Sequence, residues 1–318
     1  MNLVFIGSSR FGLRCLDLAT RFPGVRIAGV VTAKQSFSIS YRPEGVTNVL
    51  HADVAGYCEA QGLPYMVLEN SMKDPALYST VQTWRPDAFL VVGWYHMIPR
   101  SWRALAPAYG LHASLLPDYS GGAPLVWAMI NGEKKTGITL FQMDDGVDSG
   151  PIVGQLEEHI LPSDTIGSLY ARIEDRGLDL LGRHLSALVT GSSILRIQDE
   201  AARRTFRQRS PSDGWIDWNQ DAKVIDRFIR AQTRPYPGAF TSLDDGRRLT
   251  IWTATPLDES NDQPPSSVMQ VGGCFRVQCG QGSLLLQEVD CEGQLYGVDQ
   301  LVEVMHGARR LGIERPQI

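Results

Sequence analysis

The chain has 318 residues, of which 43% are hydrophobic and 20% are charged, a composition typical of folded globular proteins. Because a single hydrophobic core rarely grows beyond roughly 250–300 residues, we expect two domains. The formal net charge of −5 disfavours a general nucleic-acid-binding protein, since such proteins neutralise phosphates with Lys and Arg.

Short apolar runs alternate with amphipathic segments along the first two-thirds of the chain, a pattern typical of βαβ units around a parallel sheet. The predicted strands are "LVFIG", "VRIAGVVT", "LPYMVL", "DAFLVVGW", a short strand ending in "GLHAS", "TGITLFQM" and "PIVGQLEEHI". The predicted helices cover residues 10–20, 54–61, 75–83, 99–106, 124–131 and 163–190. We therefore predict an α/β domain over residues 1–190, built on a Rossmann-like, mostly parallel sheet.

The pattern changes after residue 190. Residues 191–210 are polar and rich in arginine, which is typical of a linker. Beyond them, a helix over residues 222–231 precedes short strands separated by Gly, Asp and Pro turns, and a last helix is predicted near residues 298–305. This spacing predicts a small antiparallel β-barrel, OB-like in character, as a C-terminal domain over residues 211–318.

The glycine turn "GSSRFG" after the first strand is the first candidate binding feature. A glycine turn that leads into a helix can hold phosphate at the helix N-terminus. The full GxGxxG fingerprint is absent, however, and no acidic residue closes the second strand, which disfavours a dinucleotide site. We interpret Gly7 and Gly12 as residues that allow close packing of the strand against the helix.

His112 is a stronger candidate, because it stands at the end of a predicted strand among the small residues Gly110, Ala113 and Ser114. Ligands of open α/β sheets collect at the carboxyl ends of the strands. A histidine there can donate to a developing oxyanion or move a proton near neutral pH. The alternative is a histidine that only bonds a loop carbonyl.

Three aspartates follow in "DDGVDSG", namely Asp144, Asp145 and Asp148. Asp148 is the candidate partner that orients the imidazole of His112 and raises its basicity; an ordinary acidic turn is the alternative. No serine or cysteine lies in a nucleophile-elbow context, so we expect direct transfer rather than a covalent intermediate.

The remaining sequence features predict neither a metal site nor a membrane protein. The five cysteines form no CxxC pair, and the six histidines show no HxH or HExxH spacing, so no zinc site or disulfide framework is indicated. The apolar run at the N-terminus is too short for a signal peptide. No window approaches the roughly twenty apolar residues of a membrane span, and we expect a protein of the cytoplasm.

The stretch "HASLLPDYSGGAP" followed by "NGEKKTGITLFQMDDGVDSGPI" resembles the 10-formyltetrahydrofolate-dependent formyltransferases. This family includes methionyl-tRNA formyltransferase, glycinamide ribonucleotide formyltransferase and the sugar-nucleotide N-formyltransferases. The segments "PSDGWIDWNQDA" and "IRAQTRPYPGAF" resemble the small C-terminal domain of the tRNA and sugar enzymes, so the resemblance covers most of the chain.

The resemblance implies that His112 and Asp148 are catalytic, since they match the histidine and the aspartate of the family's Asn, His, Asp constellation. The asparagine has no counterpart, because Gly110 stands two residues before His112 where the family has Asn. Ser120 likewise stands where an arginine is common in the family. Losing one oxyanion donor typically costs roughly 2.7–4 kcal/mol of transition-state stabilisation.

The segment "VVGWYHMIP" is similar to the loop that cradles the pterin of the folate in the family. The residues that the resemblance places in this cofactor site are Trp94, Tyr95, Met97, Ile98 and Asp144. An aromatic cluster at the end of the sheet is the alternative. Where the tRNA enzyme has a basic insertion, the loop "AKQSFSISYRPEGVTN" holds only Lys34 and Arg42. This difference disfavours tRNA as the substrate.

The resemblance therefore implies an N-formyltransferase that moves a formyl group from 10-formyltetrahydrofolate to a primary amine of a small molecule, with a nucleotide-linked amino sugar as the first choice. One alternative is methionyl-tRNA formylation. Another is a homologue that binds folate or sugar nucleotide and has lost catalysis at Gly110. The sequence determines neither the acceptor nor whether the chain forms a homo-oligomer.

Overall fold

The computed structural model describes residues 1–39, 42–259 and 262–312. Within them the chain forms two compact units, each discontinuous in sequence. Unit 1 comprises Met1–Gly121, Lys135–His159 and Ala171–Phe206, and unit 2 comprises Gly122–Lys134, Ile160–Tyr170 and the described part of Arg207–Ile318. The continuous domains expected from the sequence, 1–190 and 211–318 with a linker over 191–210, stay a prediction.

The strands and helices of the described residues follow the order expected of an α/β chain with a mainly β second part. The strands are β1 (Asn2–Ile6), β2 (Arg26–Ala33), β3 (Ser36–Ile39), β4 (Arg42–Thr47), β5 (Tyr65–Leu68), β6 (Ala88–Val91), β7 (Ala108–His112), β8 (Ser120–Gly121), β9 (Lys135–Gln142), β10 (Ile152–His159), β11 (Thr205–Phe206), β12 (Ala239–Ser242), β13 (Arg248–Leu257), β14 (Val268–Val271), β15 (Cys274–Gln278), β16 (Ser283–Cys291) and β17 (Gln294–Gly297). The helices are α1 (Arg10–Thr20), α2 (Val54–Gln61), α3 (Pro75–Thr83), α4 (Arg100–Arg103), α5 (Pro124–Ile130), α6 (Ile166–Thr190), α7 (Ala222–Gln232) and α8 (Leu301–Met305).

Unit 1 is built on a seven-stranded sheet with the order β10-β9-β7-β6-β1-β2-β5. The five strands from β7 to β5 are parallel, and β9 and β10 continue the sheet antiparallel to their neighbours. The central strands are apolar without alternation because helices cover both faces of a parallel sheet; Val4, Phe5 and Ile6 are fully buried. The predicted mostly parallel sheet is confirmed.

The order of the strands creates a switch point beside β1. From β1 the chain adds β2 and β5 on one side, and it later returns to add β6 and β7 on the other. In open α/β sheets ligands bind in the crevice outside the carboxyl ends at such a point. A Cβ added at Gly7 would lie 2.3 Å from the carbonyl oxygen of Val92, and one at Gly12 would lie 2.8 Å from it. Both glycines thus allow the close packing inferred from the sequence.

Between β2 and α2 the structure differs from the loop expected over residues 33–48. β3 and β4 form an antiparallel hairpin there, and Ser40 and Tyr41 lie outside the described residues. The hairpin forms because Phe37 has aromatic partners to pack on, with its ring centroid 5.4 Å from that of Tyr95. A packing partner that is distant in sequence leaves no local signal.

Unit 2 contains an antiparallel sheet with the order β12-β13-β16-β15-β14, to which β17 adds by pairing with β16. Its core includes the side chains of Ile251, Leu284 and Leu286, together with Ile225 and Ile229 of α7. The predicted antiparallel second domain is therefore confirmed. Across the described ranges, no helix is both long and apolar enough to cross a membrane.

Candidate active site

His112 is the last residue of β7, so the sheet delivers its side chain to the carboxyl edge of the strands. Its ring is largely buried, and its Nε2 lies 2.8 Å from the carbonyl oxygen of Tyr119. A carbonyl oxygen only accepts hydrogen bonds, so Nε2 must carry the hydrogen and donate it. In the neutral ring, Nδ1 is then the unprotonated nitrogen. His112 does bond a loop carbonyl, as one reading of the sequence anticipated.

Asp148 faces the other ring nitrogen. Its Oδ2 lies 3.5 Å from Nδ1 of His112 and accepts a hydrogen bond from the backbone N–H of Gly121 at 2.8 Å. An unprotonated Nδ1 and a carboxylate offer lone pairs and no hydrogen to each other. A proton added at Nδ1 would produce an imidazolium beside a carboxylate.

The backbone of Asp148 adopts the left-handed conformation, with φ of 52°. Aspartate tolerates this conformation better than most residues, although it costs an L-residue roughly 1–2 kcal/mol. The carbonyl oxygen of Asp148 accepts a hydrogen bond from Nε2 of Gln198 at 2.8 Å. Strained residues of this kind persist where their surroundings hold them, and they cluster at functional sites.

The other two aspartates of the motif have partners other than His112. Oδ1 of Asp144 accepts hydrogen bonds from the N–H of Gly146 and the hydroxyl of Ser149. Asp145 is paired with Arg103, whose guanidinium lowers the pKa of that carboxyl. Of the three aspartates, the structure brings Asp148 to His112.

Gly110 lies two residues before His112 on β7, on the same face of the strand. A Cβ at this position would lie 2.6 Å from the terminal methyl of Met143 and 3.1 Å from the ring of Phe141. Met143 therefore fills the space that a side chain at residue 110 would enter. An asparagine there requires Met143 to move, which its flexible side chain can do.

The loop after β6 carries four of the five predicted cofactor residues, and Asp144 lies in the loop after β9. Gly93 has φ of +62°, and a Cβ there would lie 1.9 Å from Oγ of Ser9, so this turn requires glycine. Trp94 and His96 follow, with ring centroids 5.4 Å apart. The hydroxyl of Tyr95 donates to Oδ1 of Asn48 at 3.4 Å.

The five predicted cofactor residues differ in their exposure. Trp94 and Tyr95 are half-buried, Met97 is 59% exposed, and Asp144 is exposed. Ile98 is buried in the core beside Trp102, so its side chain is turned into the protein. A contact between these residues and a folate stays a prediction.

Two buried ring nitrogens in this loop lack a hydrogen-bond partner in the described part of the chain. They are Nε1 of Trp94 and Nε2 of His96. Burial lowers the pKa of His96, since a low-dielectric surrounding disfavours the charged ring. Sequence reasoning did not select His96, because one histidine within an aromatic run has no distinguishing pattern.

Sequence reasoning also missed the groups that hold His112 and Asp148. Tyr119 acts through its backbone carbonyl, which no side-chain pattern reveals. Gln198 reaches Asp148 across fifty residues of sequence. Within residues 1–39, 42–259 and 262–312, no group of three or more His, Cys, Asp or Glu side chains is arranged to hold a metal ion.

Three solved structures illustrate the similarity of the fold. HypX from Aquifex aeolicus, in complex with tetrahydrofolic acid, has a TM-score of 0.63 at 16% identity, covering 100% of this chain and 50% of that one. An N-formyltransferase from Helicobacter canadensis, in complex with folinic acid and dTDP-3-aminofucose, has a TM-score of 0.65 at 17% identity over 90% and 99% of the two chains. Methionyl-tRNA formyltransferase from Clostridium thermocellum has a TM-score of 0.54 at 18% identity over 92% and 98%.

These structures share the fold, and the chain spans about half the length of HypX. Two family models match the sequence itself. The model described as "Formyl transferase" matches residues 1–185, and the model described as "Formyl transferase, C-terminal domain" matches residues 209–297. The first match contains both His112 and Asp148. The chain therefore belongs to the formyl transferase family.

Proposed function

We propose that this protein transfers a formyl group from 10-formyltetrahydrofolate to a primary amine of a small molecule, with a nucleotide-linked amino sugar as the acceptor. The observation that carries this proposal is the His112–Asp148 pair at the carboxyl end of β7, within the region that matches the formyl transferase model. A cytoplasmic location stays a prediction.

The reaction needs a group that takes one proton from the amine. The amine nitrogen forms a bond to the formyl carbon, and the bond between that carbon and the donor nitrogen breaks. The amine loses a proton in this exchange, and the departing donor nitrogen gains one. Nδ1 of His112, 3.5 Å from the Asp148 carboxylate, accepts the first proton and returns it to the departing nitrogen.

This assignment differs from a role in which His112 holds the oxyanion. Its Nε2–H already donates to Tyr119, so the ring would have to give up that bond to serve as an oxyanion donor. Gly110 offers no side chain in place of the family asparagine. The arrangement therefore favours proton transfer as the role of the His112–Asp148 pair.

The loop after β6 fits a folate in two respects. A pterin ring is flat and carries hydrogen-bond donors and acceptors, and an aromatic cluster of Trp94, Tyr95 and His96 lies on this loop. Nε1 of Trp94 and Nε2 of His96 are buried without partners in the described residues, and buried polar groups normally find one. A similar fold has been solved with tetrahydrofolic acid in HypX.

An amino sugar on a nucleotide is supported by the fold neighbour from Helicobacter canadensis, which was solved with dTDP-3-aminofucose. The net charge of −5 argues against tRNA, whose binding depends on Lys and Arg. The missing asparagine at Gly110 is the specific observation in favour of a second candidate, a homologue that binds these ligands without turnover.

The test is incubation of the protein with 10-formyltetrahydrofolate and either methionyl-tRNA or one of a panel of nucleotide-linked amino sugars, with mass spectrometry to detect N-formylated products. Formylation of one acceptor by the wild type and not by His112→Ala is expected. Formylation of methionyl-tRNA alone would overturn the choice of acceptor. Ligand-dependent thermal stabilisation without any product would favour the binding homologue.

A further inference from the structure

We propose that Gln198 is a positioning residue that fixes the His112–Asp148 pair, and that residues 198–206, here called the strap, hold both members of the pair. This inference rests on the proposed function for its kinetic consequence. The groups involved all lie within unit 1.

Gln198 holds the turn that presents Asp148. Its side chain is buried, at 6% exposure, and its Nε2 donates to the carbonyl oxygens of Asp148 at 2.8 Å and Gly150 at 2.6 Å. The two acceptors bracket the residue that follows Asp148. One amide group therefore fixes the backbone on both sides of the turn.

The orientation of this amide is determined by its other neighbour. Oε1 of Gln198 accepts a hydrogen bond from Nη2 of Arg203 at 3.1 Å. A guanidinium only donates, so the oxygen must face Arg203 and the nitrogen must face the two carbonyls. Arg203 is itself held by Glu200 through bonds of 2.6 and 2.7 Å.

Asp148 needs such a hold because its left-handed backbone, with φ of 52°, is unfavourable for an L-residue. If the turn relaxes to a right-handed conformation, the carboxylate leaves its position against Nδ1 of His112. The two bonds from Gln198 oppose that relaxation. Its role is thus exerted through Asp148 and not on the substrate.

The end of the strap holds His112 in the same way. β11 pairs with β8 in the register Thr205 to Ser120, and Phe206 stacks on Tyr119 with centroids 4.5 Å apart. The loop so held supplies the Tyr119 carbonyl to Nε2 of His112 and the Gly121 N–H to the carboxylate of Asp148.

Arg204 adds to this anchoring from the surface. Its guanidinium lies 4.8 Å from the centroid of the Tyr119 ring and donates two hydrogen bonds to the carboxylate of Asp118, at 2.6 and 2.5 Å. A bidentate pair of this kind fixes geometry as well as adding energy. The strap therefore contacts the turn of Asp148 and the loop that binds His112.

The test compares Gln198→Glu with the wild type. Glutamate keeps the shape of the side chain but offers the two carbonyls no donor. We expect kcat to fall by roughly ten- to a hundredfold, because small displacements of reacting groups have effects of this size, while KM for both substrates stays within about threefold. Gln278→Glu is the matched control, since Gln278 is also buried and donates to two carbonyls, those of Cys279 and Gly282, in unit 2.

A second readout does not depend on turnover. The ¹⁵N signals of the histidine rings can be recorded by NMR, and comparison with His112→Gln assigns the signal of His112. In the wild type this signal should show the hydrogen on Nε2. The substitution Gln198→Glu should shift the signal, and Gln278→Glu should leave it unchanged. If the wild type forms no product, the proposed function fails and this spectrum still decides the inference. An unchanged His112 signal in Gln198→Glu would overturn the inference, and so would a wild-type kcat in that variant where product forms.

Arg204→Gln tests the strap in a second variant that should still fold, because Arg204 is half-exposed and its replacement leaves the core intact. It should lower kcat severalfold at unchanged KM and shift the same His112 signal. Arg21→Gln, which breaks a surface pair with Asp17, is its control and should change neither. If Arg204→Gln shows the same kcat and the same His112 signal as the wild type, as Arg21→Gln should, the strap has no part in holding the pair.

Discussion

Nδ1 of His112 lies 3.5 Å from Oδ2 of Asp148, while Nε2 of the same ring donates to the backbone carbonyl of Tyr119. The second bond fixes which nitrogen carries the hydrogen, and the first places the remaining lone pair against a carboxylate. The two contacts therefore orient the ring of His112 and set its neutral tautomer.

Asp148→Asn should lower kcat by about two to four orders of magnitude, the usual contribution of general acid–base catalysis. The asparagine removes the negative charge that stabilises the imidazolium, while its amide retains nearly the same shape. KM for the formyl donor should change little, as measured by steady-state kinetics.

Asp145→Asn is the control for that experiment, because Asp145 belongs to the same acidic run and pairs with Arg103 at the surface. Its kcat should stay close to that of the wild type. Equal losses in the two variants would show that the acidic run acts as a structural turn and not through the pair with His112.

Gly110→Asn should destabilise the protein by about 1–3 kcal/mol, the usual cost of overpacking, because the new Cβ meets the methyl of Met143 at 2.6 Å. Adding Met143→Ala should recover part of that free energy of unfolding, as measured by urea denaturation. In the double variant, a rise in kcat above that of Met143→Ala alone is expected if the asparagine supplies an oxyanion donor. Additive losses of stability would contradict the packing argument.

Protonation of His96 should destabilise the folded protein in mildly acidic solution. Burial lowers the pKa of His96 in the folded chain, so below its ordinary pKa the unfolded chain binds the proton more readily. The free energy of unfolding therefore falls as the pH decreases from the ordinary pKa of histidine towards the lowered pKa of His96 in the folded chain. Above the ordinary pKa it is unaffected by this group. In urea denaturation, the free energy of unfolding should fall less in acid for His96→Gln than for the wild type. An equal fall in both proteins would contradict the role of His96 in this acid sensitivity.

Asp213 should stabilise unit 2 at neutral pH, and this contribution should also be lost in acid. Arg207 holds the pKa of Asp213 well below its usual range, and the N–H of Ser210 donates to the same carboxylate at 2.7 Å. The contribution is present above the ordinary pKa of an aspartate and is lost as pH falls below it. Asp213→Asn should therefore lower the urea midpoint at neutral pH, with the difference from the wild type shrinking in acid.

Asp217→Asn provides a comparison for that measurement. Asp217 also accepts local hydrogen bonds, from Asn219 and Gln220, but no ion pair is described for it. Its loss of stability should be the smaller of the two. The reverse order would remove Arg207 as the main cause of the stabilisation by Asp213.

The sequence alone predicted the mostly parallel sheet, the antiparallel second domain and the pairing of His112 with Asp148. Hydrophobic periodicity and turn residues are local properties, and they report strands and helices wherever burial follows the chain. The resemblance of the two motifs to the formyltransferases indicated this pairing, because Asp148 lies in the loop between β9 and β10 and no periodic pattern links it to β7.

The tertiary structure alone decided how that pair is held. The Tyr119 carbonyl, the Gln198 amide and the packing of Met143 before Gly110 are contacts across space, and such contacts leave no periodic pattern in the sequence. The hairpin of β3 and β4 carries no local sequence signal for the same reason, since its aromatic partner Tyr95 lies far along the chain. Backbone acceptors and long-range packing are properties of the folded arrangement, so the sequence predicted which side chains pair and the fold determined how they are held.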